Sequence, residues 1–112
     1  MSEGFVEVMP GVRMRAVRCT RSVVVTETLL QQGAAVPSHS HQALQLTFCV
    51  RGKLRLRVGG SEHILGPGSY VVIEPGTEHE AYAIEETLVV DVNAPLTEDR
   101  RSLVEKLGAS CE

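Results

Sequence analysis

The sequence predicts an all-β domain, a single antiparallel β-barrel or sandwich with one short helix near the C-terminus. Three observations carry this. Short β-prone runs recur at even spacing along the chain. Each is closed by glycine, proline or acidic residues. A single segment, after residue 96, carries helix signals instead. The 112 residues make one domain, 1–112, long enough to bury a core without staples.

The elements follow in order. Residues 12–16 alternate apolar and basic side chains, and residues 22–30 are rich in β-branched types. Gln31-Gln32-Gly33 ends that run. Residues 44–50 form the next strand, closed by Arg51-Gly52-Lys53. Residues 53–58 are close to strict period two, apolar on one face and basic on the other. Gly59-Gly60 is a two-residue hairpin signal. Residues 62–65, 69–74, 78–83 and 87–92 complete about eight strands, the even spacing of a β-barrel or sandwich. A helix is expected over about 97–107. Thr97 can cap it, Glu98 and Asp99 suit its positive N-terminus, and Gly108 can stop it. Its apolar residues are few (Leu103, Val104, Leu107), so it should lie against the barrel.

Composition narrows the function. Net charge is −3, with 43% hydrophobic and 22% charged residues. That is a globular balance with no electrostatic case for nucleic acid. Arg13, Arg15, Arg18 and Arg21 crowd the first quarter, as a solvated strand or as a positive rim for an anion. Cys19, Cys49 and Cys111 are odd in number and lack C-x-x-C spacing. This argues against a disulfide framework and for a reducing cytoplasm. No N-terminal apolar segment reads as a signal peptide, and no run is long enough to span a membrane.

The chemistry lies in Gly33-x5-His39-x-His41-x3-Gln45-x6-Gly52. A strand alternates its side chains, so His39 and His41 would share a face and grip one ion. His79 lies in a second glycine-punctuated stretch, residues 66–79. Three imidazoles and the Gln45 amide oxygen suit a divalent transition metal: zinc, manganese, iron, nickel or copper. If Gln45 faces inward, so do Thr47 and Cys49. Leu44, Leu46, Phe48 and Val50 then form an outward apolar row that needs cover, and a homodimer is expected.

These residues resemble the cupin superfamily. Its first motif, G-x5-H-x-H-x(3 or 4)-E-x6-G, meets Gly33, His39, His41 and Gly52, with Gln45 at the acidic position. Its second, G-x5-P-x-G-x2-H-x3-N, meets Gly68, Gly76 and His79, with Glu74 and Ala83 at the proline and asparagine positions. The resemblance covers about residues 22–95. It implies a small antiparallel β-barrel of jelly-roll type with a metal held inside. The His-x-His, Gln, His set is similar to the group that includes the pectin-degradation cupins, which open or linearise unsaturated uronates. That group often ends its last strand D-x-F-x-P-x-R-x-D. Here Asp91, Pro95 and Asp99 are kept, Asn93 replaces the aromatic residue, and Thr97 replaces the arginine, a natural clamp for a carboxylate. Arg100 or Arg101 could compensate only through a shift of register.

The metal set is therefore His39, His41, Gln45 and His79. Gln45 either ligates directly or hydrogen-bonds a bound water. Asp91 is the candidate general base. Glu27, set among Val23, Val25 and Leu29, is a second carboxylate candidate, and Tyr82 a candidate phenol. His63 lies off both motifs and reads as surface; Cys49 reads as buried filler. The expected function is a metalloenzyme acting on a small, oxygen-rich, carboxylated and anionic molecule. Its reaction would be isomerisation, dehydration or ring opening through a metal-stabilised enolate. The alternatives are a dioxygenase-type cupin and a non-catalytic module that binds a sugar or small acid. No nucleic-acid or membrane partner is expected.

Overall fold

The computed structural model describes residues 4–112 and contains ten strands and one helix among them. In chain order these are β1 (Val6–Met9), β2 (Val12–Cys19), β3 (Val24–Leu30), β4 (Ala35–His39) and β5 (Leu44–Arg51). There follow β6 (Leu54–Val58), β7 (Ser61–Leu65), β8 (Tyr70–Ile73), β9 (His79–Ala83), β10 (Thr87–Ala94) and α1 (Glu98–Lys106). β1 and β4 were not anticipated. The other strands lie where the alternation and turn signals put them. The helix starts and ends one residue inside the expected span.

The expected jelly-roll barrel is not closed; it is a sandwich of two antiparallel sheets. One has the order β1-β2-β3-β10-β5-β8, the other β4-β9-β6-β7. Closure needs every edge strand to find a second neighbour, whereas β1, β8, β4 and β7 each pair on one side only. Pro37, which has no N–H to give to a ladder, sits on the edge strand β4, where that loss costs least.

The core lies between the sheets. Leu30, Cys49 and Val89 of the larger sheet meet Leu54, Leu56, Leu65 and Ala83 of the smaller, with Ile73 of β8. Full burial of a leucine or isoleucine contributes about 1.5–3 kcal/mol, so this cluster holds most of the driving force. A second, smaller cluster of Cys19, Val24 and Val104 seats α1 at the flank.

Gly52 shows why the first motif ends in glycine. Its φ is +96°, and a Cβ there would stand 2.2 Å from the Glu86 carbonyl oxygen. Any side chain would force the β5–β6 turn away from the strand that carries Asp91.

The parity of β5 is as the sequence implied. Thr47 and Cys49 are buried, while Leu44, Phe48 and Val50 are exposed. Cys49 is a buried free thiol. The argument against disulfides fails elsewhere: Cys19 and Cys111 are bonded to each other across a sequence separation of 92. Spacing gave no hint of this, because only the return of the C-terminal tail to β2 brings the two together. The disulfide also removes the support that unpaired cysteines lent to a cytoplasmic location. No helix among the described residues is long and apolar enough to cross a membrane.

Candidate metal centre

Two loops and two strands assemble the site. His39 ends β4 and faces His79, the first residue of β9, directly across the ladder. His41 lies past the end of β4, in the connection to β5. Strand alternation alone therefore does not align it with His39. Its backbone is held instead by the second motif, where the Gly76 N–H donates to the His41 carbonyl at 2.8 Å. Ring centroids lie 4.3 Å apart for His39–His79, 5.1 Å for His41–His79 and 5.9 Å for His39–His41. One nitrogen from each ring falls within 4.8 Å of the others.

The hydrogen bonds set which nitrogen is free. Each Nδ1 meets a backbone carbonyl: His39 to Pro37 at 2.9 Å, His41 to Ala43 at 3.2 Å, His79 to Thr77 at 2.9 Å. A carbonyl only accepts, so each Nδ1 carries the proton and each Nε2 offers a lone pair. Burial is the largest influence on His41 and His79 and pushes both below the usual histidine range, toward the neutral form a metal needs. The same carbonyls fix the ring orientations.

Gln45 lies beside the histidines, held by an inner-face network. Its Nε2 donates to Thr47 Oγ1 at 2.9 Å and toward Asp91 Oδ1 at 3.4 Å. Thr47 Oγ1 donates to Asp91 Oδ1 at 2.7 Å, and Thr28 Oγ1 to Asp91 Oδ2 at 3.3 Å. With its amide nitrogen committed there, Gln45 turns Oε1 to within 2.7 Å of His41 Nε2.

That contact tests whether a metal fits. Oε1 accepts, and a His41 that donates from Nδ1 has only a lone pair at Nε2. Two lone pairs at 2.7 Å repel unless a cation lies against both. A proton on Nε2 would serve, but burial and the nearby Arg100 charge oppose it. His79 Nε2 is buried with no hydrogen-bond partner among the described residues, a costly state for a polar atom. Both observations fit a divalent ion held by His39, His41, Gln45 and His79.

His39, Gln45 and His79 line a cavity of about 430 Å³ between the sheets, which Asp91, Asn93 and Arg100 also line. Burial is the largest influence on Asp91 and raises its pKa; the hydrogen bonds from Thr47 and Thr28 and the Arg100 charge pull the other way. Asn93 is 2% exposed, and its Oδ1 has no partner among the described residues.

Two sequence candidates are corrected. Glu27 stands opposite Val90 on the outer face of the larger sheet. It is ion-paired there with Arg15, which donates to Oε1 from Nε at 2.9 Å and from Nη2. The inward residues of β3 are instead Val24, Thr26, Thr28 and Leu30. Tyr82 also points outward, with the Arg55 guanidinium 5.1 Å over its ring. Partners outside the cavity thus explain both. Arg13 and Arg18 likewise pair with Glu7 and Glu112 rather than forming an open positive rim.

Arg100 is the cavity-lining residue that sequence reasoning undervalued. It reaches the cavity with no shift of register, because α1 begins at Glu98. Thr97 is the N-cap, and one helical turn carries the chain from it to Arg100 on the same side. The signal was the expected helix start combined with the three-residue offset.

Known proteins match this picture. The cupin-domain family model matches residues 26–92. The solved structure of KdgF from Halomonas sp. is 28% identical, with a TM-score of 0.81, over 85% of this chain and 88% of that one. An RmlC-like cupin from Shewanella frigidimarina is 20% identical, with a TM-score of 0.81, over 85% and 86%. The DMSP lyase DddQ from Ruegeria pomeroyi is 18% identical, with a TM-score of 0.75, over 81% of this chain and 50% of that one. At those lower identities the likeness is one of fold. No curated protein sequence matches the chain. With more than half its length matched by the family model and both motifs converging on one histidine cluster, the chain belongs to the cupin family.

Proposed function

We propose that this chain is a metal-dependent enzyme acting on a small, oxygen-rich, carboxylated molecule by isomerisation, dehydration or ring opening. One observation carries the reading: a nitrogen from each of His39, His41 and His79 lies within 4.8 Å of the others, with Gln45 Oε1 2.7 Å from His41 Nε2, beside a cavity that Asp91 also lines. A divalent transition metal held by His39, His41, Gln45 and His79 would supply Lewis acidity, drawing electrons from a carbonyl as enolate charge develops. All four donors are neutral, so the site keeps its full positive charge and favours anions.

The chain's own residues supply the rest. Arg100 binds the substrate carboxylate. Its Nε is engaged by Asp99 Oδ2 at 3.2 Å, and its charge already acts on Asp91, His41 and His79. The Asn93 carbonyl oxygen accepts from a substrate hydroxyl. An Asp91 carboxylate oxygen takes a proton from the carbon next to the polarised carbonyl and returns it at the neighbouring position. That transfer conserves atoms and charge. Thr28 and Thr47 hold the carboxylate still, and burial makes it a better base than a solvated aspartate.

Turnover of a panel of uronates and 2-keto acids, with and without chelator, tests the reading. The expected result is chelator-sensitive turnover, restored by added metal and reduced about 10²–10⁴-fold in Asp91→Asn. Binding without turnover across the panel would replace the enzyme with a small-molecule module. Substrate-dependent oxygen uptake would replace it with the dioxygenase alternative.

The same reading includes a homodimer through the outer face of the larger sheet. Leu44, Phe48, Val50 and Val72 are 38–45% exposed there on the adjacent strands β5 and β8, an apolar row of the kind that seeks cover. Light scattering should give a dimer mass for the parent and a monomer mass for Phe48→Glu.

A further inference from the structure

The Cys19–Cys111 bond lies outside the metal centre, and the mechanism does not use it. It does act on the one helix that contributes to the cavity. Cys19 ends β2 in the small cluster with Val24 and Val104, and Ala109 and Cys111 pack against that cluster. The tail after α1 turns at Gly108 and returns to β2, where the Glu112 N–H donates to the Cys19 carbonyl at 2.9 Å.

The other ties on α1 are slight. The helix has nine residues, and Val104 is its one buried residue. Leu107 is buried just beyond its end. Its N-cap Thr97 makes no side-chain capping bond. The Arg18–Glu112 ion pair at 2.9 Å is more than half exposed at both ends, so it adds little. Helices this short do not persist in water without packing. Arg100 and Leu103 of this helix line the cavity.

We propose that Cys19–Cys111 is a thiol–disulfide switch that latches α1 over the cavity. Closed, the bond fixes Arg100 beside the histidine cluster. Opened, it leaves α1 on one small cluster and a few backbone bonds, and the cavity loses a fixed wall. The opening agent is a dithiol reductant. One of its thiolates attacks the Sγ of Cys111, the less buried residue of the two, and the Cys19 thiolate leaves and takes up a proton. The second thiol of the reductant then releases Cys111 as a thiol. Two electrons pass to the protein, and the dithiol becomes a disulfide. The attack is restricted by access, because Cys19 is 4% exposed.

The test uses the full chain, oxidised and then reduced with dithiothreitol, beside a Cys111→Ser variant. Denatured oxidised protein should show one titratable thiol, Cys49, and reduced protein three. On reduction, amide hydrogen exchange of α1 should quicken by about tenfold or more, as for a unit released to open locally, while β5 and β10 stay protected. Phenylglyoxal should modify Arg100 several-fold faster, read by peptide mass, and Cys111→Ser should match the reduced parent without reductant. Three thiols in the oxidised chain would overturn the proposal. Identical exchange and Arg100 reactivity in the two forms would overturn it too, leaving a bond that only stabilises. Neither readout needs metal or turnover, so the latch and the enzymatic reading stand or fall separately.

Discussion

Along β3, β10 and β5 the inner face of the larger sheet is two different surfaces. Toward one end the strands present Thr26, Asp91 and Thr47 in register, and next to them Asn93 beside Gln45. Toward the other end they present Val89 beside Cys49, and then Leu30. The same strands thus build a polar cavity and a dry core within a few residues of each other. The cavity that the polar half faces keeps groups without partners, Asn93 Oδ1 on β10 and His79 Nε2 on β9 of the facing sheet, and such groups cost stability. The apolar half, closed by Leu54, Leu56, Leu65 and Ile73, offsets that cost. Within the larger sheet, polar and apolar positions are divided along the same strands, while the histidines come from the facing sheet and its connection to β5.

The sharpest way to break this comparison is to injure the halves one at a time. Ile73→Ala, at a residue 1% exposed in the core cluster, should cost about 2–5 kcal/mol of unfolding free energy by transfer and cavity effects. Folded Ile73→Ala should still take up metal in the parent's stoichiometry. His79→Ala should do the reverse. It should lower metal affinity by at least about 100-fold, read by elemental analysis and titration calorimetry. Its metal-free stability should stay within about 1–2 kcal/mol of the parent, since it also deletes an unpartnered buried nitrogen. Metal uptake by His79→Ala equal to the parent's would remove the centre from the polar half.

Gln45 permits a finer cut. Gln45→Glu places a carboxylate oxygen where Oε1 now faces His41. It should tighten a divalent metal by about tenfold, the scale of one charge-assisted ligand. It should also weaken an anionic substrate, because the site loses one positive charge. The Asp91 carboxylate beside it would raise the pKa of the added carboxyl, so the gain in metal affinity should grow as pH rises and that carboxyl ionises. Metal titrations of parent and variant at two pH values read both effects.

The two halves were not equally legible in the sequence. The apolar half was plain from period two: Leu54 and Leu56 alternate with Arg55 and Arg57, and the structure buries the first pair and exposes the second. The parity of β5 was legible for the same reason. The histidine cluster was legible from motif spacing, although the supporting argument from strand alternation fails at His41, which a backbone bond from Gly76 holds. β4 was missed because Val36-Pro37-Ser38-His39 carries neither alternation nor β-branched enrichment; ladder pairing with β9 makes it a strand. β1 was missed although Val6-Glu7-Val8 followed by Pro10-Gly11 is a strand-and-turn signal. Glu27 and Tyr82 were misread because one strand's alternation does not say which face is inward. Their partners Arg15 and Arg55 settle it, and those pairings are long-range. The Cys19–Cys111 pair was illegible for the same cause.

The smallest expected effect is the most diagnostic of the polar half, and it concerns Asp91 and pH. Burial is the leading cause that lifts the Asp91 carboxyl above the ordinary aspartate value of 3.8. The native state therefore binds more protons than the unfolded chain above that pH. Stability attributable to Asp91 falls as pH rises from 3.8 through the raised native value, and the loss is constant beyond it. Asp91→Asn removes the charge while keeping an oxygen for the Thr47 and Thr28 hydroxyls. At neutral pH the metal-free variant should be as stable as the parent or more so, by up to about 1 kcal/mol. The two should converge below pH 3.8. His41 and His79 act in the opposite sense. Burial first holds both below 6.5, so the native state binds fewer protons, and stability is lost as pH falls from 6.5 toward the lowered native values. His79→Ala should flatten that limb and leave the Asp91 limb intact. Thermal melts of metal-free parent, Asp91→Asn and His79→Ala from pH 3 to 8 read the two slopes separately. A parent that gains stability over Asp91→Asn as pH rises through the Asp91 range would mean that the threonine hydrogen bonds and Arg100 outweigh burial, and Asp91 would then be too weak a base for the proton transfer assigned to it.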